Sequence, residues 1–133
     1  MSKKIGKIIS IVFCALAVVV LIVLIIINSA TSGQMKTIDK AYSSFTHGVY
    51  KEYSQCFAEN PISEKEFDDL REQYLTKWGE DFAVKAEFYT REKHGNGYIV
   101  YVRVYTYNEN DHISSAKDFF MTKSKGKWLI NNA

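Results

Sequence analysis

Few residues in this chain are of types that do chemistry, and their spacing argues against most of the chemistry they suggest. His47, His94 and His112 lie 47 and 18 residues apart, with no H-x-x-x-H or C-x-x-C, so no zinc-ligand pair is present locally. The turn Asn108-Glu109-Asn110-Asp111 gathers oxygens but lacks the glycine and closing glutamate of a calcium loop, and reads as a hairpin turn. A general base needs a carboxylate or imidazole with a shifted pKa inside a pocket. Asp39 is placed near a pocket rim by the helical wheel, and the three histidines fall at turns or helix breaks; all four read as surface polar groups. Cys56 lies on an apolar helical stripe and reads as a small buried hydrophobe rather than a nucleophile. No phosphate-cradling G-x-x-x-x-G-K or G-x-G-x-x-G occurs. No catalytic residue, metal ligand or cofactor is expected.

One constellation points to recognition instead. In the segment YIVYVRVYTYN, Tyr98, Val100, Val102, Val104 and Thr106 share one side of a strand, and Ile99, Tyr101, Arg103, Tyr105 and Tyr107 share the other. Tyrosine and arginine are typical anchors of protein interfaces. With the valines under helices, the tyrosine row forms an outer interaction surface. The competing assignments are an ordinary cross-strand ladder, or tyrosines lining an internal cavity.

These residues need elements to hold them. Ile38, Tyr42, Phe45, Val49, Tyr53 and Cys56 recur at helical steps, with His47-Gly48 inside the pattern. Glycine there costs about 1 kcal/mol against alanine, so the spacing predicts two shorter helices joined at a break. Pro61 closes that element. Ser63 and Glu66 form a capping box, with Ile62 and Phe67 as its hydrophobic staple. The helix so started presents Phe67, Leu70, Tyr74, Leu75 and Trp78, and Gly79 ends it. From there the period is two. Phe82, Val84, Ala86 and Phe88 alternate along a first strand, and the turn His94-Gly95-Asn96-Gly97 leads into the tyrosine strand. A third strand over 113–123 and a short last strand Trp128-Leu129-Ile130 follow. Helices first and a four-stranded antiparallel meander after them make an α+β domain with helices on one sheet face.

The chain's 133 residues hold one such domain, which excludes large multi-site enzymes, repeat arrays and multi-pass transporters. Residues 8–27 are apolar except Ser10, and twenty residues of helix span roughly 30 Å, a bilayer's hydrocarbon core. Lys3, Lys4 and Lys7 precede the run and the next charge is Lys36. The positive-inside rule makes this a single-pass cell-membrane protein with a cytoplasmic N-terminus and an extracytoplasmic domain. A cleaved signal peptide is the rival reading, but its apolar region usually covers only about 7–15 residues. The expected organisation is a basic N-terminus over 1–7, a transmembrane helix over 8–27, a polar spacer over 28–34 and the α+β domain over 35–133. Beyond residue 7, fourteen Lys and Arg face fifteen Asp and Glu, so the positive formal charge belongs to the N-terminus and nucleic-acid binding has no electrostatic support.

The string FTHGVYKEYSQCF, the capped helix after it, and hairpins ending in Gly126-Lys127-Trp128-Leu129-Ile130 resemble the nuclear-transport-factor-2-like (NTF2-like, cystatin-like α+β) superfamily. In particular they resemble its small bacterial extracytoplasmic members behind one membrane anchor, commonly uncharacterized. The resemblance covers roughly residues 35 to 131 and implies a cone of helices against a curved sheet. There is no room for a strand between the first helices and the capped one, which argues against a deep conical pocket. Enzymes of the superfamily use an Asp or His inside the cone; no residue here is carried over to that role. The expected function is a non-catalytic envelope module that binds a partner such as a secretion or wall-assembly component. The alternative is a small-ligand binder or isomerase-like enzyme using the cone.

Overall fold

The computed structural model describes residues 15–19, 32–59 and 61–131. The basic N-terminus with Lys3, Lys4 and Lys7, most of the 8–27 run and the spacer up to residue 31 lie outside the described residues. Residues 15–19 are helical, and Leu16, Val18 and Val19 among them are exposed. Among the described residues, no helix is long and apolar enough to cross a membrane. The chain divides into two compact units, Met1–Ser32 and Gly33–Ala133, and the second carries the fold.

Three helices precede four strands: α1 over 32–47, α2 Tyr50–Ser54, α3 Glu64–Trp78, β1 Ala83–His94, β2 Gly97–Tyr107, β3 His112–Ser124 and β4 Lys127–Ile130. α1 takes in residues that composition assigns to the spacer. Gly33 and Gln34, read as spacer, are helical, and Gln34 is fully buried with its Oε1 accepting from Arg91 Nη1 at 3.3 Å. A polar letter thus hides a packed residue.

The break between α1 and α2 is fixed by two residues acting together. Gly48 takes φ +75, and Arg71 of α3 donates from Nε to the Phe45 carbonyl at 2.7 Å and from Nη2 to the Thr46 carbonyl at 3.2 Å. The guanidinium adds donors at the helix end, where the Phe45 carbonyl also accepts from the Gly48 N–H at 3.3 Å. A Cβ on Gly48 would sit 2.6 Å from Arg71 Nη1, so a side chain there would have to push the guanidinium aside as well as bear the strained dihedral. α3 begins as its capping box requires: Ser63 Oγ accepts from the Glu66 N–H at 3.2 Å, while Ile62 and buried Phe67 meet in one core cluster.

The sheet runs in sequence order, β1-β2-β3-β4, antiparallel throughout. Lys125 and Gly126 at φ +51 and +78 make the β3–β4 turn, both central residues having the positive φ of a type I′ hairpin. The expected face assignment of β2 holds: Val100, Val102, Val104 and Thr106 are buried. They pack with Ile38, Ala41, Ala86, Met121 and Ile130 into one core cluster, and Phe45, Phe67, Trp78 and Phe82 form a second under α3. Burial at about 25 cal/mol per Å² of apolar surface is what holds helices to sheet. In place of a strand between α2 and α3 there is one bridge. Phe57 pairs in parallel with Ile130, the Ala58 N–H donating to the Ile130 carbonyl and the Ile130 N–H to the Cys56 carbonyl, each at 2.8 Å.

Candidate functional site

Two places on the domain are candidates: the cavity between helices and sheet, and the outer face of the sheet. The cavity is lined by Ile38, Ala41, Tyr42, Phe45, Tyr53, Phe57, Leu70, Tyr74, Phe119 and Ile130, and holds about 120 Å³. Its size follows from the rings that fill it. Phe45 lies 5.0 Å from Tyr74 and 5.6 Å from Phe67, Tyr53 lies 4.9 Å from both Phe57 and Phe67, and Tyr42 meets Phe119 at 6.2 Å. Sites for drug-sized ligands are usually about 300–1,000 Å³. The lining has no carboxylate or imidazole; its polar groups are the hydroxyls of Tyr42, Tyr53 and Tyr74. Burial pushes the Tyr42 phenol far above its ordinary value, with Tyr74 and Tyr53 adding to it, and burial also raises Tyr53.

The groups that sequence raised as chemical candidates lie elsewhere. Asp39 is exposed on α1 and is absent from the cavity lining; partial burial raises its pKa, offset by the Lys85 charge. His47 closes α1, its Nδ1–H donating to the Ser43 carbonyl at 2.8 Å. His94 packs its ring edge-to-face on Phe120 at 5.6 Å. His112 is exposed at the start of β3. Cys56 is buried, its Sγ–H pointing to the Glu52 carbonyl at 3.5 Å. Burial raises its thiol pKa, while Lys40 and Lys127 oppose the shift. Among the described residues, no cluster of three His, Cys, Asp or Glu is placed to hold a metal ion.

The outer sheet face is built differently. Register puts Tyr101 between Thr90 and Asp118, Arg103 between Glu87 and Ala116, and Tyr105 between Lys85 and Ser114. Side chains of alternate residues share a face, so Ile99, Tyr101, Arg103, Tyr105 and Tyr107 line up opposite the buried valines. Tyr101 and Tyr105 are half-buried among these neighbours, and Arg103 donates from Nη1 to Ser114 Oγ at 3.2 Å. An open groove of about 700 Å³ runs across this face, lined by Tyr89, Thr90, Tyr101, Arg103, Ala116 and Asp118 together with Val102 and Lys117. It takes in Tyr101 and Arg103 of the expected row. Ile99 lines a separate shallow hollow with His94 and Phe120, while Tyr105 and Tyr107 continue the row beyond the groove.

Sequence reasoning missed Tyr89, which is 80 % exposed at the groove wall. The register of β1 shifts between Phe88 and Thr90. A bulge of this kind inserts one residue and re-aims its side chain. Before it the inward residues are even-numbered (Val84, Ala86, Phe88); after it Arg91 and Lys93 stand opposite the inward Val100 and Tyr98. The signal was a loss of alternation at Phe88-Tyr89-Thr90 within a strand longer than the apolar pattern alone marks out.

No protein-family model matches the chain, and no curated protein sequence does. Solved structures do. An NTF2-like protein of unknown function from Shewanella oneidensis MR-1 superposes with a TM-score of 0.55 at 14% identity, covering 77% of this chain and 94% of the other. A protein of unknown function with a cystatin-like fold, from Nostoc punctiforme PCC 73102, gives 0.57 at 13% identity, covering 72% and 81%. Helix-break-helix, capped helix and four-stranded meander together are the NTF2-like, cystatin-like α+β fold.

Proposed function

We propose that the chain is a membrane-anchored, extracytoplasmic interaction module whose outer sheet face docks a protein of the cell envelope. The observation that carries this reading is the contrast between the two candidate places. The cone interior is nearly filled and carries no general base in its lining, whereas the outer face offers Tyr89, Tyr101 and Arg103 on an open groove, with Tyr105 and Tyr107 continuing the row beyond it. Aromatic and Arg side chains on a rigid sheet are the composition of a protein-docking surface. Membrane anchoring rests on the charge-free run over 8–27, apolar except for Ser10, and on Lys3, Lys4 and Lys7 before it. The exposed Leu16, Val18 and Val19 in the helical stretch 15–19 agree with it.

Two experiments test this. Affinity recovery from native membranes should yield a stoichiometric envelope partner with the wild-type chain and lose it with Tyr105→Glu, while the fold stays intact. Unchanged recovery with the variant would remove the tyrosine row as the docking surface. For topology, protease added to intact cells should cut after residue 28; cleavage seen only once the membrane is opened would reverse the orientation.

A further inference from the structure

The charge of the domain nearly cancels in total but is sorted in space. Two hairpin tips and residues 33–37 of α1 meet at one end of the sheet: Tyr98 at the start of β2 pairs with Met121, and Thr37 Oγ1 donates to the Trp128 carbonyl at 2.8 Å. Gly33 lies against the Trp128 indole, where a Cβ would come within 3.0 Å of Cδ1. Lys36, Arg91, Lys93, Lys123, Lys125 and Lys127 stand on these segments, and Glu92 is the acidic residue among them. At the other end of the sheet, the turns into β1 and β3 carry Glu80, Asp81, Glu109 and Asp111, with Lys77 and Lys85 as the basic residues beside them. The Asn108 side chain joins those two turns by donating to the Trp78 carbonyl at 2.7 Å.

The basic end also holds aromatic rings. Tyr98 and Trp128 are half-buried and meet edge-to-face at 5.8 Å. Arg91 and Lys93 lie over the Tyr98 ring at 4.4 and 5.1 Å, and Lys123 over Trp128 at 5.8 Å. Cations beside Trp and Tyr are the composition of a membrane–water interface. On the anchored reading, chain length limits how far this end can lie from such an interface. From Ile27, the last residue of the apolar run, to Gly33 is six residues, at most about 20 Å when extended. Headgroups occupy the first several ångströms of that span, and unscreened attraction reaches about 8 Å further.

We propose that this basic, aromatic end rests on the anionic lipid headgroups of the bilayer crossed by residues 8–27, with the acidic end directed away. The proposal rests on the anchored reading above.

The test uses the full-length chain reconstituted into vesicles of phosphatidylcholine, with or without phosphatidylglycerol, each carrying a headgroup-linked nitroxide that quenches tryptophan. Trp128→Phe identifies the emitter, since Trp78 lies at the acidic end. The expected result is quenching several-fold stronger with phosphatidylglycerol, lost at high salt and lost in Lys123→Glu/Lys125→Glu/Lys127→Glu, whose three positions are exposed and tolerate the change in the fold. Quenching equal in the two lipids, or absent from both, overturns the headgroup contact. An alkaline carbonate wash separates the two readings. A chain that stays in the vesicles without lipid-dependent quenching keeps the anchor and loses this proposal. A chain that is stripped off, yet was quenched in the anionic vesicles before the wash, loses the anchor and upholds the headgroup contact.

Discussion

Val104 and Tyr105 are neighbours in sequence on opposite faces of β2, and the same substitution at each must give opposite results. Val104 is buried, opposite Ala86 and Ser115 in the pairing; Tyr105 is half-buried, between Lys85 and Ser114. Val104→Glu forfeits the burial of an apolar side chain, about 1.5–3 kcal/mol. It also places a carboxyl without a partner in the core, a further ~1–3 kcal/mol on mutational scales. The sum is about 3–6 kcal/mol, a large part of the ~5–15 kcal/mol that holds a domain of this size together. Tyr105→Glu loses strand propensity and cross-strand packing, each at most about 1 kcal/mol, and gains up to about 1 kcal/mol from the carboxylate opposite Lys85. Its net loss is at most about 2 kcal/mol. Urea unfolding of the full chain in detergent micelles, followed by far-UV circular dichroism, reads both. At a slope of about 1.5 kcal/mol per M, Val104→Glu moves the midpoint down by about 2–4 M and Tyr105→Glu by less than about 1.3 M. Equal losses from the two variants would refute the assignment of faces, and with it the exposed tyrosine row.

Three further outcomes follow from local geometry. Ser63→Ala removes the acceptor of the Glu66 N–H and should cost about 1 kcal/mol, lowering Tm by roughly 4–8 °C; an unchanged Tm would mean that packing alone starts α3. The folded-state pKa of Asp39 is raised, chiefly by burial, so protonated Asp39 favours the folded state. That contribution is present below the unfolded value and lost as pH rises through the folded one. Asp39→Asn should therefore gain stability over wild type as pH rises through that window, and a difference constant with pH would contradict the burial effect. In a Cys14→Ser background, buried Cys56 with its raised thiol pKa should react with thiol reagents only as fast as the domain opens, and faster with added denaturant. Immediate stoichiometric labelling in native buffer would contradict its burial.

The elements were legible where one face is apolar and the ends carry their own chemistry. The break at Gly48, the Ser63 cap and the period-two valines of β2 each follow from local rules and are present, as is the stripe at Ile38, Tyr42, Phe45, Tyr53 and Cys56, though Val49 within it is exposed at the break. What was not legible depends on partners distant in sequence. The bulge at Tyr89 leaves the residue types of β1 unremarkable and shows only in the pairing with β2. Gln34 reads as spacer because its burial is made by Arg91, 57 residues away. Phe88 continues the inward alternation yet is 40 % exposed. Ile113, in the inward register of β3, is exposed as well, because β4 pairs only with Met121–Ser124 and leaves the first half of β3 as an edge. Of the expected interaction residues, Tyr101 and Arg103 came together in the groove, while its remaining walls come from β1 and β3, which no pattern within β2 can name. Charge behaves likewise. A near-neutral total concealed a basic and an acidic end, since only the hairpins bring Lys93 and Lys123 to the same place.

The most direct test of the docking face is site-specific photo-cross-linking in native membranes, with the photoreactive residue at Tyr105 and, as control, at exposed Glu72 on α3. The account predicts a discrete adduct with one envelope protein from position 105, lost when Arg103→Glu is added, and none from position 72. Adducts of equal yield from both positions, or an adduct from 105 that survives Arg103→Glu, would contradict it.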